Sequence, residues 1–261
     1  MLVDFGNVRI IDMGPGSRDA VRDKLFPVIS AFGKSAKEYI AVDVSEKSLL
    51  GAKEEVAVAF PHVQANVIHA DFVQDNFRFG KSIPVELATL FGLTLCNLPV
   101  DPLVAGLPEK MLTASLSRIR THFASASRNF VITQDANQDL ESLRRAYMAQ
   151  KELYLTLPHL MLRDLPIKGK FNPDGFDVDV EFIPSTQACA VSFIAKEAMQ
   201  FSIKDENFQV KRGQRLYFHN AFKFDVATFT RCIRNAGFDV LETVVQAKNP
   251  CVLHVLKARP A

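Results

Sequence analysis

Along the first half of the chain, the spacing of apolar and polar residues changes repeatedly between a pattern typical of strands and a pattern typical of helices. Short runs rich in β-branched residues predict five strands, over residues 8–13, 39–44, 63–69, 87–93 and 129–133. Apolar residues three and four apart predict helices between them, over residues 19–32, 46–60 and 108–123. Pro27 should disturb the first helix, and Ser45 is placed to cap the second, with Ser48 inside it. Strands that alternate with helices indicate βαβ units and a doubly wound sheet.

The second half of the chain departs from this rhythm. A charged helix over 140–155 precedes a stretch rich in proline and glycine, and alternating runs follow at 188–196 and 208–218. An amphipathic helix over 224–236 ends at Gly237. Two strands, over 239–246 and 251–257 with a turn at 247–250, then predict an antiparallel hairpin at the sheet edge. We predict an α/β core over 1–135, an inserted substrate-binding subdomain over 136–215, and completion of the core sheet over 216–261.

Composition narrows the class of protein. The 261 residues are 48% hydrophobic and 23% charged with a net charge of +2, which is typical of a globular domain. Since a basic excess is missing, nucleic acid is not an expected partner. No run approaches the ~20 apolar residues that cross a bilayer, and the first residues do not resemble a signal peptide, so we expect a cytoplasmic protein without membrane contact.

The cysteines do not indicate a metal site. Cys96, Cys189, Cys232 and Cys251 lie far apart, and none has a C-x-x-C spacing. We expect buried, reduced thiols and no bound metal.

Candidate chemistry begins with the residues that follow the first predicted strand. Gly14 and Gly16 stand close together in a chain with only 12 glycines, and glycine lets a ligand approach the backbone. The NAD fingerprint would need a third glycine where Asp19 stands, and a carboxylate there would repel a pyrophosphate. The Walker motif is also absent. A nucleoside ligand without phosphates fits better, and S-adenosylmethionine (SAM) is a common one.

Acidic residues end the next two strands. Asp43 can accept hydrogen bonds from both hydroxyls of a ribose. Asp71 can accept one from an adenine amino group, while the amide of Phe72 can donate to the ring. Each aspartate alone could equally cap a strand end, so the order of the three features carries the prediction.

Four segments, 12–17, 42–45, 70–72 and 91–98, stand in the order found in one family. Together they resemble the histidine-specific SAM-dependent methyltransferases of the ergothioneine pathway, whose domain is shared by fungal tryptophan-type N-methyltransferases. The likeness continues through Gln134–Asp135, Ala146–Tyr147 and residues 213–224. It implies a class I methyltransferase fold, Rossmann-like and doubly wound, with SAM as cofactor.

The resemblance also implies roles for individual residues. The expected cofactor-binding residues are Asp12, Gly14, Gly16, Ser17, Asp43, Val44, Asp71, Phe72 and Gly92. Asn97 and Tyr147 are expected to face the acceptor. Asp135, Tyr217 and His219 are further candidates for moving its proton.

The chain differs from the family at the positions that recognise the substrate. The family places a Glu and a Ser two residues apart to read the imidazole, and these positions are His219 and Ala221 here. A second substrate asparagine falls near Pro158, and only seven residues precede Val8, where the family has a longer capping segment. We therefore do not expect histidine as substrate. Either a second subunit, as in a homodimer, or another partner closes the site, or the site is open and takes a larger or carrier-bound acceptor. His219 could bind an acidic group or act as a base.

The sequence therefore predicts methyl transfer from SAM to a small molecule, most readily the amine of an amino acid or of an amino-acid-derived metabolite, and a place in secondary metabolism. O-methylation on the same fold and a catalytically silent SAM-binding subunit remain alternatives. An NAD-dependent oxidoreductase is disfavoured by Asp19.

Overall fold

A computed structural model describes residues 6–77, 79, 85–92, 94–97, 99–123, 128–246 and 250–259. Leu93, Leu98 and positions 247–249 of the predicted turn lie outside this part of the chain. The strands are β1 Val8–Met13, β2 Ala36–Asp43, β3 Gln64–His69, β4 Val85–Leu90, β5 Arg128–Asp135, β6 Ile167–Lys170, β7 Phe176–Ile183, β8 Ala188–Ala195, β9 Met199–Ile203, β10 Glu206–Val210, β11 Arg215–Phe222, β12 Phe238–Val245 and β13 Cys251–Ala258. The α-helices are α1 Arg18–Ala20, α2 Phe26–Phe32, α3 Glu46–Ala59, α4 Leu107–Arg120, α5 Leu140–Met148, α6 Lys151–Leu162 and α7 Val226–Asn235.

Seven strands form one mixed sheet in the order β12-β13-β5-β4-β1-β2-β3. The neighbours among β1 to β5 pair in parallel, whereas β13 runs antiparallel to both β5 and β12. This arrangement confirms the predicted doubly wound α/β sheet with its C-terminal antiparallel hairpin. All six residues of β1 are buried, as expected of a strand covered on both faces.

The first helical segment is irregular next to Pro27, as the sequence predicts. Between α1 and α2 the chain makes a π-helical turn, Val21–Leu25, in which the amide of Phe26 donates to the carbonyl of Val21. Pro27 then stands in the first turn of α2, where a missing N–H is tolerated. The π turn thus lets the helix continue past a residue that would otherwise break it.

Contacts within the chain divide it into two compact units. The first contains the seven-stranded sheet and comprises the residues up to 96, 109–136 and those from 226 onward. The second comprises Asn97–Pro108 and Asn137–Asp225 and contains two three-stranded sheets, β10-β9-β6 and β11-β8-β7. β11 pairs with β8, so it belongs to the inserted unit, and the predicted boundary at 215/216 lies too early by one strand.

Several predicted elements of the insertion differ from the structure. The predicted helix over 140–155 is two helices, α5 and α6, with a break at Ala149–Gln150. The run over 208–218 is divided between β10 and β11 by a turn in which Gln214 N–H donates to Lys211 O. β6, β7 and β9 are absent from the elements predicted above. β6 and β9 are short, whereas β7 alternates clearly between apolar and polar residues, a signal of a strand that could have been recognised.

Two further observations bear on the composition argument. Cys96, Cys189 and Cys232 are buried, but Cys251 is exposed at the start of β13, so the expectation of four buried thiols is wrong for Cys251. Within the described ranges, no helix is both long enough and apolar enough to cross a membrane.

Candidate active site

The order of the strands places a topological switch point between β1 and β4. From β1 the chain continues outward through β2 and β3, then returns to the other side of β1 as β4. In open α/β sheets, ligands bind beyond the carboxyl ends of the strands at such a point. The segments that follow β1, β2, β3 and β4 therefore form the candidate cofactor site.

The glycine loop after β1 adopts a conformation that favours glycine. Gly14 and Gly16 have φ angles of +71° and +73°, and Gly14 N–H donates to Val42 O at 2.8 Å. A Cβ on Gly14 would lie 3.8 Å from both the Phe72 ring and a Leu90 methyl. The loop thus lies against the ends of β2 and β4 and against the segment after β3.

Ser17 ends this loop and starts the following helix. Its hydroxyl accepts from Ala20 N–H at 3.2 Å, and Gly16 and Ser17 are both exposed. An open cavity beside the loop is lined by residues 16–19 and by residues 46–48 at the start of α3. The loop backbone therefore borders open space.

Asp12 lies beneath the loop and is almost completely buried. Its carboxylate accepts from Tyr39 Oη on β2 and from Thr89 Oγ1 on β4, each at 3.2 Å. Burial raises the pKa of Asp12 to about 6, while these two donors oppose the rise. These contacts join three strands directly below the loop, so the hydrogen bonds of Asp12 support the loop from within the sheet.

Asp43 and Val44 follow β2. Asp43 is half-buried, and its Oδ1 accepts from Ser45 N–H at 2.8 Å. Its carbonyl accepts from Ala70 N–H, which joins the end of β2 to the end of β3. Val44 is 63% exposed, so an apolar side chain stands uncovered beside the carboxylate.

The segment after β3 is a compact turn around Asp71. Asp71 Oδ1 accepts from the amides of Val73 and Gln74, and the Asp71 amide donates to Asp75 Oδ2. The Phe72 side chain is buried. Asp71 therefore caps this turn, which is the alternative role that the sequence allowed. The described hydrogen bonds of its side chain are made by Oδ1.

Gly92 and Asp135 lie at the carboxyl ends of β4 and β5. Lys24 of the π turn donates to the carbonyl of Phe91 at 3.1 Å, which ties the segment before Gly92 to the first helical segment. Asp135 is half-buried and pairs across the sheet with Cys251. Among the described residues, no group of three or more His, Cys, Asp and Glu side chains could hold a metal ion.

The other expected acceptor-side residues belong to the inserted unit. Asn97 is exposed directly after a short 3₁₀ turn, Thr94–Cys96. Tyr147 lies near the end of α5, and its ring centroid is 6.2 Å from that of His219 on β11. The structure therefore brings Tyr147 and His219 together, although 72 positions separate them in the sequence.

A β-bulge explains why His219 faces Tyr147 while Tyr217 does not. The register of β11 against β8 shifts between Tyr217 and His219, with Phe218 as the extra residue. Phe218 packs on Phe193 and Tyr154, on the face covered by α5 and α6. Tyr217 is paired with Ser192 instead, and burial together with Glu181 raises its pKa, which makes it a poor base.

Lys223 was not identified from the sequence. It is only 3% exposed, and its ammonium lies 5.7 Å from the centroid of the Tyr147 ring. Burial, and then Lys223, lower the pKa of His219. A lysine between Phe222 and Phe224, both buried, is the signal that could have drawn attention to it.

Comparison with known proteins decides the family. A model of the histidine-specific, SAM-dependent methyltransferases matches residues 1–258. The chain belongs to this family. It is an S-adenosylmethionine-dependent methyltransferase, as the resemblance implied, and SAM is its cofactor.

Individual relatives are distant. "Uncharacterized protein y4iF" of Sinorhizobium fredii is 25% identical over 96% of this chain and 80% of its own length. A SAM-dependent methyltransferase from Clostridium acetobutylicum has a TM-score of 0.51 at 12% identity, with 97% of this chain and 85% of its own covered. The CcbJ methyltransferase from Streptomyces caelestis has the same score and identity, with 97% and 84% covered. The two structures support the class I methyltransferase fold.

The residues at the carboxyl edge of the sheet fit SAM. The glycine loop borders open space, Asp43 carries a second carboxylate oxygen for ribose hydroxyls, and Val44 offers an apolar surface to a base.

Proposed function

We propose that this methyltransferase N-methylates an amino acid or a small molecule derived from one. The observation that carries the proposal is the set of predicted nucleoside-binding residues at the β1/β4 switch point in a member of this family. In the proposal, Gly14, Gly16 and Ser17 border the cofactor, Asp43 binds its ribose, and Asp71 with Phe72 contacts its adenine. Asp12 acts from below by holding the loop, and Val44 and Gly92 are the further cofactor-side candidates.

The protein has little covalent chemistry to perform. SAM supplies an activated methyl group on a sulfonium, so the side chains mainly orient the acceptor and exclude water. An amine must lose its proton before or during the attack. His219 suits this role because burial and the nearby Lys223 lower its pKa, which keeps the imidazole neutral and able to accept a proton at pH 7. Tyr147 would orient the acceptor beside it, and Asn97 and Asp135 are the further acceptor-side candidates.

The first test is calorimetric titration with S-adenosylhomocysteine, with NADH titrated in parallel. We expect S-adenosylhomocysteine alone to bind, and Asp43→Asn to weaken it by about tenfold or more, because a charge-assisted pair of hydrogen bonds is lost. Glu242→Gln is the matched control, since Glu242 is an exposed carboxylate on β12, the edge strand farthest from β2 and β3. Equal losses in both variants, or binding of NADH instead, would contradict the proposal.

The second test addresses the acceptor. We expect amino acids with acidic or neutral side chains to be methylated and histidine to be a poor substrate, because His219 and Ala221 replace the pair that reads an imidazole in the family. His219→Glu combined with Ala221→Ser should raise the relative rate with histidine. Mass spectrometry of the products measures both effects, and efficient use of histidine by the native enzyme would refute this part.

O-methylation is the second candidate activity. Asp135 at the end of β5 favours it, because a hydroxyl, unlike a neutral amine, needs a group that takes its proton as the new bond forms, and a carboxylate can accept that proton. Transfer to hydroxy acids but not to the corresponding amines, abolished by Asp135→Asn, would select this activity. Binding of S-adenosylhomocysteine without turnover of any acceptor would point to the silent SAM-binding subunit.

A further inference from the structure

The turn that follows β3 is held by side chains from the end of α4 and the residues after it. His122 Nε2 lies 3.0 Å from the carbonyl oxygen of Phe72, and Arg118 Nη2 lies 3.0 Å from that of Gln74. Because a carbonyl oxygen only accepts, Nε2 of His122 carries the proton and donates. Two backbone groups of one turn are thus bound by donors that lie more than 40 positions away in the sequence.

His122 is a rigid donor rather than a surface contact. It is 5% exposed, and its ring stacks on Phe77 with centroids 4.0 Å apart and planes 17° apart. Phe79 meets the same ring edge-on at 6.5 Å. Packing on two sides leaves the imidazole little freedom, so the position of the Phe72 carbonyl is well defined.

The held segment contains the residues proposed to contact adenine. Phe72 lies between His122 and the glycine loop, since its ring would be 3.8 Å from a Cβ on Gly14. Asp71 Oδ1 is committed to the amides of Val73 and Gln74, which orients the carboxylate as a whole. A shift of the Phe72 carbonyl would therefore move the Asp71 carboxylate and the Phe72 amide together.

We propose that His122 is a positioning residue for adenine recognition, acting through the Phe72 carbonyl on Asp71 and the Phe72 amide. The inference rests on the proposed function, in which this turn contacts the adenine. It gives His122 a role in cofactor selectivity without contact with the cofactor. Arg118 helps to position the same turn through its hydrogen bond to the Gln74 carbonyl.

The experiment compares two ligands that differ at position 6 and at N1 of the purine. S-adenosylhomocysteine carries the amino group and an accepting N1, whereas S-inosylhomocysteine carries an oxo group and an N1–H. Calorimetry on the native protein should give a dissociation constant lower by about tenfold or more for the adenosine compound, since the hydrogen bonds of Asp71 and of the Phe72 amide both favour adenine. His122→Phe keeps the stacked ring and removes the donor, and it should reduce this ratio to about threefold or less.

His122→Gln is the rescue variant, because its amide nitrogen can stand where Nε2 stands, and it should retain most of the ratio. If His122 has only a structural role, His122→Phe should weaken the binding of both ligands equally and leave the ratio of their dissociation constants unchanged. That result would overturn the inference. If His122→Phe does not fold, Arg118→Met replaces it, and an unchanged ratio there would overturn the inference as well.

Asp71→Asn separates the inference from its premise. If Asp71→Asn removes the discrimination but the His122 variants do not, the adenine assignment stands and the role of His122 is refuted. If Asp71→Asn leaves the discrimination unchanged, the adenine assignment itself is wrong and the inference falls with it.

Discussion

At the scale of single residues, His254 illustrates how a buried polar group is satisfied inside the core sheet. Its Nε2 donates to Gln134 Oε1 at 2.9 Å, and its Nδ1 accepts from Thr243 Oγ1 at 3.1 Å. Its ring also stacks on Phe229. Burial lowers the pKa of His254 to about 4, so the imidazole is neutral at pH 7 and its Nδ1 is free to accept from the Thr243 hydroxyl.

The unfolding free energy should therefore depend on pH through His254. Its pKa is lower in the folded state than the ordinary value of 6.5, so the unfolded chain binds the proton more readily. Stability should be complete above about pH 6.5 and fall as the pH drops toward 4, by about 3 kcal/mol at most. Urea unfolding from pH 7 to 4 measures this loss.

His254→Gln is the control for this pH dependence. It keeps a neutral hydrogen-bonding side chain and should be less stable at pH 7, but its stability should change less between pH 7 and 4. An identical pH profile in the variant would show that other groups cause the loss.

Some site residues could be recognised in the sequence and others could not. Gly14, Gly16 and Asp43 stand beside strand ends, where local sequence already predicts their position. Tyr39 and His122 act on residues far away in the chain, and their neighbours in the sequence do not indicate those partners. Their roles depend on which strands and turns meet.

At the scale of elements, α3 begins where its capping residue predicts. The Ser45 hydroxyl accepts from Ser48 N–H at 3.3 Å, and Ser48 itself lies within the first turn. This confirms the distinction drawn from the sequence between the two serines.

Removal of the cap should therefore lower stability at only one of these positions. Ser45→Ala should reduce the unfolding free energy by about 1 kcal/mol, because an amide of the first turn loses its acceptor. Ser48→Ala, the matched control, should change it by less than ~0.5 kcal/mol, since alanine is a good helix former. Urea unfolding at pH 7 compares them, and equal losses would show that the hydroxyl of Ser45 is not a cap.

The break between α5 and α6 shows the limit of periodicity. Ala149 still has helical angles, whereas Gln150 has φ −104° and ψ 14°, and α6 then continues past Pro158, which is buried. Apolar positions on both sides of the break pack on the same sheet face, including Leu143 and Tyr154. The apolar spacing therefore stays nearly helical across the break, and the pattern predicted one helix.

At the scale of the whole molecule, the inserted unit is assembled from two separate segments. Thr186, in the turn between β7 and β8, donates to the carbonyl of Pro102 at 2.6 Å, across 84 positions of sequence. Asn220 Nδ2 of β11 lies 3.4 Å from the carbonyl of Val100. The segment Asn97–Pro108 thus belongs to this unit although the predicted domain began at residue 136.

Loss of the Thr186 hydroxyl should loosen that segment. Thr186→Val keeps the shape of the side chain but leaves a buried carbonyl without this donor, at a loss of about 1–2 kcal/mol. Hydrogen exchange of amides in 99–107 should become faster, while exchange in the seven-stranded sheet stays unchanged. Thr156→Val is the control, because the exposed Thr156 donates within its own helix, to Leu153 O. Faster exchange of amides 99–107 in this variant as well would contradict the role assigned to Thr186.

The amino-acid sequence by itself determined the order and type of most core elements, the antiparallel C-terminal pair and the family. These follow from local period, caps and glycine positions, which act over a few residues. Only the tertiary structure decided that β11 belongs to the insertion, that Phe218 is bulged so that His219 meets Tyr147, and that His122 holds Phe72. Such contacts depend on strand register and on chain segments far apart in sequence, and local patterns carry no information about either.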